Sequence, residues 1–298
     1  MLSMDSKRYV DAYQFSNGML NVGWLAGYTH LPPEAQQNPK CIFVMQTNNL
    51  NHALPIHIRD KDKLPTRFQR PHVEIKVIAR VQGKKLENGR RIAVLEGIDF
   101  DTPTILDMPP EDNWHFKVPS DAPESTFKPS KTGLTLSRRS NVIKLAGYVC
   151  GIQFTPPGTV KPNGNVSNGR IELLIAQKAD FDQAIPVRID GKFAEAVSKI
   201  VKVGMPLLFN DAMFMVNVDK TGGPADENGI SPVEIYPYIE ARLPKIATPE
   251  DILGEPPGWA RELAEASRAR KKPTPSPQTP KPIPDDLGLD SALAALGA

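Results

Sequence analysis

Apolar and polar residues alternate along much of this chain with the period of two that is typical of β-strands. In the segment 21–28, Val22, Trp24, Ala26 and Tyr28 share one side of the predicted strand. Four further strands follow at 42–46, 55–59, 73–81 and 91–98. An Asn-Gly pair lies between the last two, which is the strongest short-range signal of a β-hairpin. The first third of the chain is therefore predicted to contain five strands.

The pattern then repeats. Residues 21–28 match 141–148, 120 positions later, and Ala53–Ile58 match Ala184–Ile189 at an offset of 131. Pro32-Pro33 match Pro156-Pro157, and Glu87–Gly89 match Glu227–Gly229. The matches occur in the same order and their offset only grows, which indicates one ancestral unit with longer loops in the second copy. Coincidence is the alternative.

The connection between the third and fourth strands distinguishes the candidate folds. In the second copy, apolar residues recur at helical spacing between Gly191 and Val203, before Gly204 and Pro206 stop the helix. The first copy has Pro65 at this place, so its helix is short or absent. Three strands, a helix and two strands describe the five-stranded OB barrel, whereas a generic β-sandwich gives no reason for a helix there. The predicted fold class is all-β, with two tandem OB-like barrels.

Proline and charge divide the rest of the chain into segments. We expect an OB-like domain at 1–105, a Pro-rich interdomain segment at 106–138 and a second OB-like domain at 139–247. A C-terminal helix is expected within 248–272, starting near Trp259 after Pro256-Pro257. Residues 273–298 read as a Pro-rich linker and a disordered acidic tail.

Composition excludes several classes of protein. Two cysteines, Cys41 and Cys150, are too few for a disulfide-rich scaffold or a four-cysteine zinc site. The chain has neither a signal-peptide core nor an apolar run long enough to cross a membrane, so we expect a cytoplasmic protein with no membrane partner. It also lacks a phosphate-binding glycine loop, a His-Glu-x-x-His motif and any zinc spacing of its histidines. We therefore predict no enzymatic activity, no catalytic residue, no metal and no cofactor.

The distribution of charge is more informative than its total. The formal net charge is only +2, yet eleven Lys or Arg against four acids lie between Arg59 and Arg91. Much of this excess belongs to the predicted hairpin 83–91, which in an OB barrel flanks the ligand face of strands two and three. Nucleic-acid phosphates demand such cations, although a solvated hairpin tip is the alternative explanation. The candidate phosphate contacts are Arg59, Lys76, Arg80, Lys84, Lys85, Arg90 and Arg91.

Aromatic residues supply the other half of a single-strand site, because unpaired bases stack on them. Trp24 in the first copy matches Lys144 in the second, and lysine is rarely fully buried, so this strand face meets solvent or ligand. The same periodicity places Tyr28 and Tyr148 there, while the alternative is that these rings cap an ordinary core. His57 and Arg188 match on the polar face of the third strand.

This architecture, over about residues 15–245, resembles the tandem OB-fold single-stranded DNA-binding proteins of phages, plasmids and conjugative elements. The resemblance implies sequence-tolerant binding and protection of single-stranded DNA in replication, recombination or transfer. Bacterial members end in a Pro/Gly-rich spacer and an acidic Asp-Asp-Ile-Pro-Phe peptide that recruits replication and recombination proteins. Here Ile283–Leu287 has the same ingredients in another order, with no terminal Phe. The implied partner-binding tail residues are Asp285, Asp286, Leu287 and Asp290.

Three questions stay open at this point. Single-stranded RNA is a close alternative ligand, since stacking and phosphate contacts do not sense the 2′-hydroxyl. A protein-interaction scaffold is the alternative from another class, and an apolar ligand face would favour it. Association into a homo-oligomer is neither indicated nor excluded by the sequence.

Overall fold

The structure is a computed structural model that describes residues 15–30, 41–46, 52–58, 64–103, 140–160, 164, 166–220 and 233–269. Strands dominate this part of the chain, and two α-helices accompany them. The strands are β1 Phe15–Ser16, β2 Met19–His30, β3 Cys41–Met45, β4 Leu54–Ile58, β5 Glu74–Lys85, β6 Arg91–Asp101, β7 Asn141–Val160, β8 Val166–Ala176, β9 Ile185–Asp190, β10 Pro206–Lys220, β11 Val233–Glu240 and β12 Lys245–Ile246; the helices are α1 Lys192–Ile200 and α2 Gly258–Ala269.

Strands β2 to β6 close into a first barrel, which we call barrel 1. Strand β2 pairs antiparallel with both β3 and β5, and the ring is completed by β3 with β4 and β5 with β6. The last contact, β4 with β6, is parallel, with Ile56 opposite Leu95 and His57 opposite Glu96. Alternation decides which residues fill the interior: Ile75, Val77, Ala79 and Val81 of β5 are buried, and the polar residues between them lie on the outer side.

Strands β7 to β11 form barrel 2 with the same connections. Its parallel contact joins β9 to β11, with Val187 opposite Ile239. Helix α1 lies between β9 and β10 and buries Ala194 and Val197 against the barrel. At the corresponding place the described residues of barrel 1, from Leu64 onward, contain a short 3-10 turn, Thr66–Gln69, which buries Phe68. The structure thus confirms the all-β fold class, the C-terminal helix and the helix predicted at this connection in the second copy.

The two barrels join through their first strands, β2 and β7, which pair antiparallel. Asn21 lies opposite Leu145 and Leu25 lies opposite Asn141, with Gly23 and Ile143 paired at the centre. Because 21 and 25 match 141 and 145 in the repeat, this register places a local pseudo-two-fold axis at the centre of the pairing. The sequence repeat therefore corresponds to a symmetric joint between the two copies.

Buried amides at this joint follow the same symmetry. The Asn21 side chain bonds the backbone of Val81 in both directions, and its Nδ2 donates to Gln177 Oε1 at 2.6 Å. Asn141 does the same with Phe214 and donates to Gln46 Oε1 at 3.1 Å. Each asparagine thus fixes the fourth strand of its own barrel and a glutamine of the other barrel, which satisfies polar groups that burial would otherwise leave unpaired.

The C-terminal segment packs over the outer side of these first strands. The backbone N–H of Leu20 donates to Asp251 O at 2.9 Å, and Ala247, Ile252 and Ala260 belong to the same buried cluster as Val22. In α2, the Trp259 ring meets the Tyr148 ring edge-on at 5.4 Å between centroids. No helix among the described residues is long and apolar enough to span a membrane.

Candidate nucleic-acid interface

The β5–β6 hairpin, which is residues 83–91, reaches from barrel 1 onto barrel 2. Gly83 lies directly against the backbone before β9, since a Cβ atom at this position would be 2.0 Å from Ala184 O. The Arg91 guanidinium is only 5% exposed and donates to Phe181 O at 2.8 Å. Lys85 and Arg91 both face Asp182, at 3.8 and 3.4 Å. This part of the hairpin is therefore a contact between the barrels. The sequence suggested a free phosphate-binding loop or a solvated tip, and it is neither.

Beyond this contact the hairpin forms one wall of a groove of about 330 Å³ on barrel 2. The floor of the groove is the outer side of β8, β9 and β11. In an OB barrel, strands two and three and the loops beside them form the ligand face, and β8 and β9 are those strands here. The polar and aromatic residues that line the groove are Asn88, Arg90, Arg91, Gln153, Arg170, Glu172, Arg188, Asn217, Tyr236 and Tyr238.

Two tyrosines of β11 meet cations inside this groove. The Arg90 guanidinium carbon lies 3.4 Å from the Tyr236 ring centroid, and that of Arg188 lies 4.9 Å from the Tyr238 centroid. Ile235 and Ile239 point to the barrel interior, so alternation directs both tyrosines outward. Their hydroxyls interact with Glu234 and Glu240 on the same strand. The groove therefore places aromatic rings and positive charge side by side, although Tyr236 itself is buried beneath Arg90 in this arrangement.

The arginines of the groove floor are held in place by acids. Arg170 Nε donates to Asp190 Oδ1 at 2.9 Å, and Arg188 donates to Asp190 Oδ2 at 2.8 Å. Burial acts to raise the pKa of Asp190, but the hydrogen bonds from Arg188 and Arg170 outweigh it and hold that pKa below its usual value. The carboxylate stays charged and fixes both guanidinium groups on the outer side of the sheet.

The corresponding face of barrel 1 has different residues. His57 is exposed on β4, opposite Glu96 of β6, and Lys84 of β5 is also exposed. Burial of the ring and the neighbouring Lys84 charge lower the pKa of His57, while Glu96 acts in the opposite direction. A second cavity, of about 630 Å³, separates Lys84 and Val94 from Asp180 and Asp182 of barrel 2. Among its described residues, this face of barrel 1 thus carries cations but no pair of tyrosines like that of barrel 2.

The remaining predicted contacts lie on outer faces with differing exposure. Lys76 and Arg80 are half-buried on β5, and Arg80 Nε has no hydrogen-bond acceptor among the described residues. Lys144 lies 5.5 Å from the centroid of the Trp24 ring. Trp24 is partly buried against the cluster that includes the C-terminal segment, so its face is less open than the sequence suggested.

Tyr148 and Tyr28 were predicted to stack on bases, but the structure buries both rings. Tyr148 is 2% exposed and lies beneath Trp259 of α2, and burial raises the pKa of its hydroxyl. Tyr28 is 6% exposed, with its hydroxyl 3.4 Å from Glu74 Oε1. Periodicity placed both rings on the outer side correctly, but it could not show that other segments cover that side. Arg59 lies outside the described residues, as do Asp285, Asp286, Leu287 and Asp290.

The sequence reasoning missed Tyr236, Tyr238 and Arg170 as groove residues. A signal was present: the two tyrosines alternate with Ile235 and Ile239, and Arg170 alternates with Ile171 and Leu173. Reading these strands by the face opposite their apolar residues would have found them. Among the described residues, no group of three His, Cys, Asp or Glu side chains could hold a metal ion.

No protein-family model matches the chain, and no curated protein matches it. Among solved structures, wild-type single-stranded DNA binding protein from Thermus aquaticus is similar over 77% of this chain and 94% of its own, with a TM-score of 0.38 and 12% identity. A deletion mutant of the same protein covers 80% of this chain and 98% of its own, with a TM-score of 0.38 and 11% identity.

Proposed function

We propose that the protein binds single-stranded DNA with little sequence preference, along the groove of barrel 2 and the cationic outer face of barrel 1. The observation that carries the proposal is the juxtaposition of Arg90 with Tyr236 and of Arg188 with Tyr238 on the ligand face of an OB barrel. Aromatic rings accept any base, and stacking contributes about 1–3 kcal/mol per base. Guanidinium groups beside the rings supply phosphate contacts, which do not depend on sequence.

The same residues argue against the main alternative. Charged residues are depleted at the centre of protein-docking faces, whereas the floor of this groove carries Arg170, Glu172 and Arg188 beside the apolar Leu174, Pro186 and Val187. The groove shows no feature that separates DNA from RNA, so both polymers belong in the test.

The wider context is proposed on the sequence alone. We propose that binding protects single strands during replication, recombination or transfer in the cytoplasm, as in proteins of phages, plasmids and conjugative elements. Residues 285–298 would recruit replication or recombination proteins. If the tail recruits partners and does not bind DNA, a chain ending at residue 284 should keep its affinity for DNA. The affinity should rise if the acidic tail competes with DNA phosphates for the same cations.

The decisive experiment is a titration of fluorescein-labelled oligo-dT with the full chain, followed by anisotropy at several salt concentrations. We expect affinity to fall steeply with salt, by a slope of about −0.7 for each phosphate neutralised. Unlabelled oligo-dT should compete, oligo-U measures the preference for DNA, and duplex DNA should compete poorly. Absence of binding at low salt, or equal competition by duplex, would refute the proposal.

A charge reversal locates the site. Lys84→Glu places a negative charge on the exposed outer face of barrel 1 and should weaken binding and flatten the salt slope. Lys199→Glu is the matched control, since Lys199 is 69% exposed on α1 and pairs with Glu195 in the same helix. Equal losses in both variants would mean that binding responds to net charge rather than to the proposed face.

A further inference from the structure

Tyr236 is directed outward, yet it is almost fully covered. Its relative exposure is 8%, although it lies on the outer side of β11 and lines the groove. Among the described residues, the side chain stacked on the ring is Arg90, whose guanidinium carbon is 3.4 Å from the ring centroid. A base cannot stack on that side of the ring while the guanidinium occupies it. The ring becomes available there only if Arg90 moves.

Arg90 is held over the ring by an acid of the other barrel. Its Nη1 donates to Asp219 Oδ2 at 2.7 Å, which links the hairpin of barrel 1 to β10 of barrel 2. Asp219 is positioned in turn by Asn217, whose Nδ2 donates to Asp219 Oδ1 at 2.9 Å. The two side chains of the pair are 40% and 47% exposed, so solvent and ligand can reach the pair. Ion pairs this exposed are weak and open readily.

We propose that Arg90 is a latch that a nucleic-acid phosphate opens by replacing Asp219 as the partner of the guanidinium. This inference rests on the proposed function and specifies how the groove takes up its ligand. A phosphate offers the guanidinium the same paired acceptor geometry that a carboxylate does. When Arg90 turns to the phosphate, one side of Tyr236 is uncovered for a base. This single exchange supplies a phosphate contact and a stacking surface together. The phosphate contact and the stacked base are both needed to offset the contacts that Arg90 loses with Asp219 and Tyr236.

The test is a double-mutant cycle on the full chain, with oligo-dT affinity as the measurement. Asp219→Asn removes the competing acid, so we expect affinity to rise about fivefold. Arg90→Gln removes the phosphate contact and should lower affinity about tenfold. Adding Asp219→Asn to Arg90→Gln should change nothing beyond about twofold, because the acid acts through Arg90.

Asp182→Asn is the matched control. Asp182 pairs with Arg91 and Lys85 of the same hairpin, at 3.4 and 3.8 Å, and its loss removes the same charge without uncovering an aromatic ring. A gain as large in Asp182→Asn as in Asp219→Asn would overturn the latch in favour of general repulsion. A gain from Asp219→Asn that persists in the Arg90→Gln background would also overturn it. Thermal unfolding of each variant confirms that it is folded.

The two proposals fail in different ways. If the unmutated chain does not bind oligo-dT at low salt, the proposed function is wrong and the latch is wrong with it. If the unmutated chain binds but the cycle is additive, the latch alone is wrong. An additive cycle for Arg90 and Asp219, in a chain that does bind oligo-dT, is therefore the result that refutes the latch and leaves the proposed function intact.

Discussion

Barrels 1 and 2 have the same frame but different outer faces. The register of the parallel strand pairs makes His57 equivalent to Arg188, and it makes Ile92 and Val94 equivalent to Tyr236 and Tyr238. Inside, the equivalent residues have the same role: Asn21 and Asn141 bond the fourth strand of their own barrel, and Gln46 and Gln177 bond the other barrel. Outside, one barrel has an imidazole and aliphatic side chains where the other has a guanidinium and two phenols.

The difference separates what folding requires from what folding leaves free. A buried amide without a partner costs about 1–3 kcal/mol, so the joint between the barrels constrains both copies alike. The outer face of a strand carries no such constraint, because water satisfies any polar group there. The tyrosines and arginines of barrel 2 are thus not needed to close the barrel, and their grouping on the ligand face is what points to a ligand.

The largest expected effect is on the shared frame, at Gly27 of β2. A Cβ atom there would lie 2.1 Å from Met45 O, a backbone atom of β3 that cannot move without breaking the strand pair. We expect Gly27→Ala to lower the free energy of unfolding by about 3 kcal/mol, measured by urea denaturation. Gly23→Ala is the control, because its closest contact would be the end of the Ile143 side chain, at 2.6 Å, whereas the nearest backbone atom, Ala79 O, would be 3.7 Å away.

We expect Gly23→Ala to change stability by no more than about 1 kcal/mol. Equal losses at the two glycines would mean that the β2–β3 contact is no tighter than the joint between the barrels. The equivalent of Gly27 in barrel 2 is Gly147, whose Cβ would lie 2.8 Å from Ala176 O. Gly147→Ala should give an intermediate loss of stability, because its Cβ approaches the neighbouring backbone less closely than that of Gly27→Ala.

The frame was largely predictable from the sequence, because period-two alternation and the repeat report which side of a strand is buried. Together they predicted both barrels and the helix α1. The parts that could not be predicted depend on contacts between distant segments. Alternation put Tyr148 on the outer side of its strand, but only the packing of Trp259 shows that this side is covered.

The candidate site was predicted less well, and for the same physical reason. The basic hairpin 83–91 was assigned to the ligand face of its own barrel, whereas its tip completes the groove of the other barrel. An excess of positive charge identifies a segment that needs acidic or phosphate partners, but it does not show whether those partners are carboxylates of the same chain or phosphates of a ligand. Here Asp182 and Asp219 of barrel 2 are partners that the local sequence of the hairpin does not reveal.

The largest expected effect on ligand binding is at Tyr236. Tyr236→Leu keeps an apolar side chain under Arg90 but removes the stacking surface, and we expect oligo-dT affinity to fall about tenfold. The equivalent change in barrel 1, Ile92→Leu, should leave affinity unchanged within about twofold. Equal effects of the two variants, by anisotropy titration, would remove the distinction between the barrels.

A smaller difference is expected at the third strands. Arg188→Gln removes a positive charge that Asp190 holds on the groove floor, and we expect affinity to fall about fivefold with a flatter salt slope. His57→Gln at the equivalent position of barrel 1 should lower it less than about twofold at pH 7.5, since a neutral imidazole contributes no charge. The comparison fails if His57→Gln has the larger effect at this pH.

The smallest expected effect is the pH dependence that His57 gives to barrel 1. Its pKa lies below the usual 6.5 because of burial and the Lys84 charge, so the ring is neutral at pH 7. Binding should therefore be insensitive to pH between about 8 and 7 and strengthen by about twofold as the pH falls through the lowered pKa, below 6.5, where the imidazole becomes a cation. The linkage for folding has the opposite sign: a depressed histidine pKa means that the native state resists protonation, so this group removes stability as the pH falls below 6.5. Acid should thus tighten oligo-dT binding while lowering the unfolding midpoint. His57→Gln should abolish the first trend and weaken the second, to which the lowered pKa of His30 also contributes. A pH profile that is identical in His57→Gln would assign the effect to other groups.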